Sequence, residues 1–237
     1  MRSSSISERR KARTRRFRPR NRRLERLPND FLDVENRLIG CGMRLVAGVD
    51  EAGRGPLAGP VVAGAVILDW RRVPAGINDS KKLTPAARTR LFGEIEATAI
   101  AIGVGIVPPE VIDRTNIVNA TLQAMTEAVL SLGLEPDCVI VDGRILPALP
   151  MPTIGIIKGD ARCVSVAAAS IVAKVTRDRI MLDMDLLYPD YSFKRNKGYG
   201  TRDHLEALRR YGPTGIHRHS FEPVAAVVGG AGAQQKS

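Results

Sequence analysis

Four carboxylates stand where this chain could do chemistry: the adjacent Asp50 and Glu51, then Asp142, then Asp160. Asp50 and Glu51 close the apolar run that starts at Leu45, and Asp142 closes Cys138-Val139-Ile140-Val141. Asp160 follows Lys158-Gly159, just ahead of an Ala- and Val-rich stretch. Acids at the ends of buried elements are costly to desolvate unless a cation meets them. Oxygen ligands without neighbouring His or Cys suit Mg²⁺ or Mn²⁺ rather than zinc. A pair of such ions is a common device for in-line phosphodiester hydrolysis, one activating water and the other stabilising the leaving oxygen. Taken singly, each acid is better explained as a helix cap or a surface ion pair, Asp160 above all as a cap. The coincidence of all four at element ends favours a shared metal site.

Those acids need elements that bring them together. Short apolar runs bounded by Gly and Pro read as buried strands, so Leu45–Asp50 and Pro60–Leu68 form a hairpin around the turn Gly53-Arg54-Gly55. Side chains on a regular strand alternate faces, so Asp50 and Glu51 serve one site only if the strand ends there and the turn re-aims Glu51. Residues 30–42 carry a weak helical period stopped by Gly40 and Gly42. Asn78 to Leu83 reads as a polar loop, and Thr84-Pro85 opens a helix with a cap residue followed by proline. Ala99–Val107 reads as a strand. Asn116–Leu132 is the clearest amphipathic helix, with Val118, Leu122, Met125, Val129 and Leu132 at spacings of four and three. Cys138–Gly143 and Thr153–Ile157 read as strands, Ala161–Leu187 as a long helix, Tyr188–Gly200 as a loop and Thr201–Tyr211 as a short helix. Strands and helices so mixed indicate an α/β layer structure with some parallel strands. In such sheets sites form beyond the carboxyl ends of the strands, where Asp50 and Asp142 would share an edge if their strands are parallel neighbours.

The whole chain narrows the function classes. Its 237 residues suffice for a proper core, and the net charge is +11. That charge is uneven: residues 1–26 hold eleven Arg and one Lys against two Glu, so the body is nearly neutral. Residues 1–28 are expected to be a disordered Arg-rich arm, residues 29–226 one catalytic domain and residues 227–237 a flexible tail. The arm could neutralise nucleic-acid phosphates in a salt-dependent way, or be a dispensable extension; a transit peptide is the weaker third option. No apolar run is long enough for a membrane span, and no secretory signal is present. Cys41, Cys138 and Cys163 are odd in number and widely spaced, which fits reduced thiols in a cytoplasmic protein.

Val49-Asp50-Glu51-Ala52-Gly53-Arg54-Gly55-Pro56-Leu57-Ala58-Gly59-Pro60 resembles the signature of bacterial ribonuclease HII. The likeness continues through Asn78–Leu83, Val141-Asp142-Gly143, Lys158-Gly159-Asp160, Ala168–Asp178, Lys197-Gly198-Tyr199-Gly200-Thr201 and His217–Phe221. It implies a ribonuclease-H-like mixed sheet flanked by helices, with a helical C-terminal extension. It also implies hydrolysis of the RNA strand of RNA–DNA hybrids and incision 5′ of single ribonucleotides in duplex DNA, leaving 5′-phosphate and 3′-hydroxyl ends. By matching positions, Asp50, Glu51, Asp142 and Asp160 hold the Mn²⁺ or Mg²⁺. Gly53, Arg54 and Gly55 form the loop that meets the ribose 2′-hydroxyl, and Tyr199 packs on the sugar at the RNA–DNA junction. Lys81, Lys158 and Ser170 are substrate-binding candidates, with Lys82, Lys174 and Arg177 as further phosphate contacts. For each lysine a plain solvated role competes, and Ser170 and Thr176 could bond either a phosphate or the preceding helical turn. His217 and His219 suit packing or hydrogen bonding better than metal ligation. A monomer without membrane association is expected.

The sister enzyme ribonuclease HIII would need a folded N-terminal domain, which the polar arm cannot supply. Another nuclease or strand-transfer enzyme of the same broad fold would lack the Gly-Arg-Gly turn and the Lys-Gly-Tyr-Gly loop. A non-catalytic binder working through its arm would leave four acids facing a polyanion unexplained.

Overall fold

The computed structural model describes residues 31–234, so the Arg-rich arm expected over 1–28 and the last three residues of the tail lie outside the described residues. Five strands form one mixed sheet: β1 (Val46–Ala52), β2 (Val61–Ile67), β3 (Ala101–Val107), β4 (Cys138–Asp142) and β5 (Thr153–Ile156), in the order β3-β2-β1-β4-β5. β1 and β2 are the antiparallel hairpin, and β3 adds antiparallel to β2. β4 runs parallel to β1, with Val46 opposite Cys138 and Val49 opposite Val141. Asp50 and Asp142 therefore follow matched positions on neighbouring parallel strands.

Eight helices complete the described residues: α1 (Asp33–Gly40), α2 (Pro85–Thr98), α3 (Pro109–Arg114), α4 (Ile117–Leu130), α5 (Val164–Leu187), α6 (Phe193–Asn196), α7 (Arg202–Tyr211) and α8 (Glu222–Gln234). α4 covers one sheet face. There Ala47, Val49, Ala63, Ala65 and Ile67 pack with Ala124, Met125 and Ala128. α5 and α2 cover the other face, where Val66 and Leu68 pack with Leu91, Ile95, Ala168 and Ile171. The strands are apolar on both faces because both are covered.

Several helix starts follow their residues. Thr84 accepts from Ala87 N at 3.2 Å ahead of Pro85, Asn116 from Asn119 N at 2.9 Å, and Thr201 from His204 N at 3.4 Å. Other stretches depart from the sequence reading. The polar loop at 78–83 contains a 3-10 turn, Ser80–Lys82, capped by Asp79 and burying Ser80. The long helix begins at Val164, because a separate 3-10 turn, Gly159–Ala161, precedes it. The Tyr188–Gly200 loop contains a 3-10 turn, Pro189–Tyr191, and α6, with Tyr191 and Phe193 stacked at 5.4 Å. α3 lies in a stretch to which the pattern assigned no element. α8 continues past residue 226, where the tail was expected to begin: Val224 packs with Leu57 and Leu208, and Val227 sits against them. No helix among the described residues is long and apolar enough to cross a membrane.

Candidate active site

β1 ends its buried stretch at Asp50, β4 ends at Asp142, and the 3-10 turn after β5 carries Asp160. One carboxylate oxygen from each of these three lies within 4.8 Å of the other two. Gly159 makes this possible in the third case. Its N–H donates to Asp142 Oδ1 at 2.7 Å, and Lys158 before it adopts a left-handed conformation (φ 57°), which folds the turn back toward the sheet edge. Asp160 does not cap α5, against the reading it invites in isolation. The N-cap of that helix is Cys163, with no side-chain cap bond.

Glu51 lies outside that group of three, on the side of a neighbouring cavity. The turn does not re-aim it, since β1 runs on through Ala52 with Glu51 opposite Ala63. Glu51 stays on the α4 face, as alternation requires, and lines a cavity of about 210 Å³ with Asp142, Arg54, Val118, Leu122 and Met125. Asp142, at the last position of β4, is shared between that cavity and the three-carboxylate cluster. Arg54 donates to Glu51 at 3.2 Å from a half-exposed side chain.

The electrostatics are those of crowded acids. Burial, then the charges of Glu51 and Asp142, hold the Asp50 carboxyl well above the usual carboxylate range. Burial also raises Glu51, with Arg54 opposing. Asp160 is raised by burial and by Asp79 and Asp142, with Lys81 opposing from 3.6 Å. Burial alone would lower Lys81, but the charges of Asp160 and Asp50 outweigh it and raise the ammonium.

The candidate substrate-binding residues fall into three groups. Gly53, Arg54, Gly55 and Tyr199 come together: a Cβ on Gly55 would lie 3.8 Å from the Tyr199 ring, which is 45% exposed. Lys81, Lys82 and Lys158 are exposed, and Lys81 faces Asp160. Ser170, Lys174 and Arg177 are placed differently. Ser170 is buried, its hydroxyl 2.7 Å from that of Ser80, so it touches protein rather than solvent. Lys174 pairs with Asp178 at 2.7 Å. Arg177 makes no phosphate contact: it is fully buried and donates to the carbonyls of Pro60, Lys197 and Ala58 at 3.0–3.1 Å. Its length lets it span the inside of the loops whose outside it was expected to serve.

Three roles escaped the sequence reading. Arg218, fully buried, donates to the carbonyls of Gly53, Arg54 and Gly59 and so clamps the Gly-Arg-Gly turn from beneath. Ser80, buried, sits in a stretch read as a polar loop. His204 meets His217 Nε2 to Nε2 at 3.0 Å in a buried pair. No local signal marks a buried Arg or Ser, whereas the His-x₁₂-His spacing was visible but carried no partner information. The expectation of packing for His217 holds. His219, by contrast, is exposed and donates its backbone N–H to Asp113 at 2.8 Å.

Comparison with known proteins matches the family model for ribonuclease HII over residues 47–224. The chain is 51% identical over 217 residues to a ribonuclease HII of Geobacillus kaustophilus, covering 92% of this chain and 83% of that one. It is 53% identical over 201 residues to a ribonuclease HII of Bacillus anthracis, covering 84% and 78%. Among solved structures, the ribonuclease H2 of Pyrococcus horikoshii superposes with a TM-score of 0.67 at 30% identity, over 82% of this chain and all of that one.

Proposed function

This chain belongs to the ribonuclease HII family, metal-dependent hydrolases that cleave the RNA strand of RNA–DNA hybrids, and we propose that it also incises 5′ of single ribonucleotides embedded in duplex DNA. The observation that carries the site assignment is the convergence of Asp50, Asp142 and Asp160, one oxygen each within 4.8 Å. These residues fit divalent ions. The donors are all oxygen, which suits Mg²⁺ or Mn²⁺, and their crowding is unfavourable without a cation. Asp50, Asp142 and Asp160 would hold the ions, with Glu51 completing the set from the α4 face. The chemistry two such ions supply when bound is activation of the attacking water and stabilisation of the leaving 3′-oxygen, giving 5′-phosphate and 3′-hydroxyl ends.

The protein's own groups set the rest. The backbone N–H of Glu51 donates to Asp50 Oδ1 at 2.8 Å and that of Gly159 to Asp142 Oδ1 at 2.7 Å, each orienting its carboxylate. Lys81 offsets Asp160, and with Lys158 and Arg54 it offers exposed charge to the phosphates. Gly53 and Gly55 let backbone groups approach a 2′-hydroxyl closely, the contact that separates RNA from DNA at one position. Tyr199, beside Gly55, presents a flat ring to the junction sugar. The same reading makes residues 29–226 the catalytic unit and residues 1–28 an Arg-rich arm outside it, in a cytoplasmic monomer.

Incubating the protein with a duplex bearing one ribonucleotide, with Mg²⁺, with Mn²⁺ and with chelator, tests this directly. Cleavage on the 5′ side of the ribonucleotide is expected with metal and none with chelator. Asp50→Asn and Asp142→Asn should abolish cleavage while binding survives; near wild-type rates in either variant would overturn the assignment.

A further inference from the structure

The Tyr199 carbonyl lies at the end of a line of hydrogen bonds through two buried imidazoles. The Thr214 N–H donates to His217 Nδ1 at 2.9 Å, so that nitrogen is an acceptor and the His217 proton sits on Nε2. His217 Nε2 lies 3.0 Å from His204 Nε2, which must then accept. The His204 proton is left on Nδ1, 2.8 Å from the Tyr199 carbonyl. Every donor and acceptor on both rings is thereby used, with one proton on each. Burial disfavours charge on both rings: it lowers His204 below its ordinary value and is the main cause that brings His217 to about 4.

The other end of the line leads to the Gly-Arg-Gly turn. His217 bridges Ala58, Gly59 N–H donates to the Ile216 carbonyl at 2.8 Å, and Arg218 N–H to the Leu57 carbonyl at 2.8 Å. The histidine pair thus ties the segment following the turn to the loop that carries Tyr199. The Tyr199 ring is 45% exposed, so little packing fixes it and its position is set through its backbone. That backbone is held by Asn196, which accepts from Tyr199 N–H at 2.9 Å, by Thr201, which donates to the Tyr199 carbonyl at 2.7 Å, and by His204.

We propose that His204 is a positioning residue for ribonucleotide recognition: its Nδ1–H fixes Tyr199 relative to the Gly-Arg-Gly turn, and His217 selects the tautomer that can do so. This rests on the reading of Tyr199 as the residue that packs on the junction sugar. Two substitutions separate positioning from core filling. In His204→Asn the amide nitrogen can take the place of Nδ1 and still reach the Tyr199 carbonyl. In His204→Gln the amide reaches the Nε2 position, keeping the contact to His217 and losing Tyr199.

The experiment measures kcat/KM of the full-length protein on a duplex with one ribonucleotide and on a long RNA–DNA hybrid, with Tm recorded for each variant. His204→Gln should lose about tenfold more on the single ribonucleotide than on the hybrid, the worth of one lost hydrogen bond. His204→Asn should keep the wild-type ratio between substrates. Equal losses on both substrates in His204→Gln, or a ratio in His204→Asn as altered as in His204→Gln, would overturn the proposal. Tyr199→Ala, run beside them, tells the failures apart. If it too loses equally on both substrates, the reading of Tyr199 falls and takes this inference with it. If Tyr199→Ala is selective and His204→Gln is not, the inference alone falls. Should the His204 variants fail to fold, ¹⁵N NMR of the wild-type imidazoles decides. A proton on Nδ1 of His204 and Nε2 of His217 supports the proposal, and the opposite tautomers refute it.

Discussion

Arg218 shows how much of this site is made by groups that never meet solvent. Its guanidinium is fully buried with no carboxylate in ion-pair contact among the described residues, and burial with the neighbouring Arg177 charge lowers it to about 9. It stays protonated at neutral pH and spends its donors on the carbonyls of Gly53, Arg54 and Gly59. A planar fork can satisfy several carbonyls at once; an ammonium on a similar stem cannot. Arg218→Lys should therefore keep the charge and still lose about 2–4 kcal/mol of stability, because buried carbonyls are left unpaired. Urea unfolding measures this, and a loss below about 0.5 kcal/mol would show that the clamp is dispensable. Ser170 teaches the same lesson more quietly. Its hydroxyl could serve a phosphate or the preceding helical turn, and in the fold it is turned inward to Ser80.

At the scale of elements, the site depends on how closely α5 lies on the sheet. A Cβ on Gly48 would meet the Ser165 carbonyl carbon at 2.1 Å, and one on Gly64, the partner of Asp50 across the hairpin, would meet the Ala169 carbonyl oxygen at 2.6 Å. These strand glycines are there for approach. They let the helix backbone sink onto β1 and β2 beside Asp50. Gly48→Ala pushes backbone against backbone, which side-chain rotation cannot relieve. It should cost about 3 kcal/mol, at the upper end for overpacking, and should reduce hybrid cleavage as α5 lifts from Asp50. Unfolding midpoints and hybrid cleavage rates check both parts; unchanged cleavage in a destabilised variant would uncouple the helix from the site.

Across the whole molecule, the segment before the family match takes part in the fold. Glu35 of α1 is fully buried and accepts from the backbone N–H of Ser165 at 3.1 Å and its hydroxyl at 2.9 Å, serving the first turn of α5 from another helix. Its second oxygen, Oε2, has no partner among the described residues, and burial pushes the carboxyl from an ordinary 4.5 up to about 7. A carboxyl raised in the fold binds more protons folded than unfolded. Its contribution is fully present below about 4.5 and is lost as the pH climbs to about 7. The loss across that window is about 3 kcal/mol. Glu35→Gln cannot titrate, so its stability relative to wild type should rise by about that amount between those pH values. Urea unfolding of both proteins at several pH values measures it, and parallel curves would place the titration elsewhere.

The sequence alone determined the parts that depend on local residue order. These are the β1–β2 hairpin, the capped start of α2, the amphipathic α4, and acids at the ends of two strands that prove to be parallel neighbours. It also carried the family likeness, because motif order survives without coordinates. Only the tertiary structure decided which face each acid takes, that Glu51 lines the neighbouring cavity rather than being re-aimed by the turn, and that Arg177, Arg218, Ser170 and the histidine pair face inward. The physical reason is that burial belongs to contacts between segments far apart in the chain. Arg218 lies 159 residues from the Gly59 carbonyl that it binds, and Glu35 lies 130 residues from Ser165. A polar side chain reads as solvated until the fold shows what it is packed beneath.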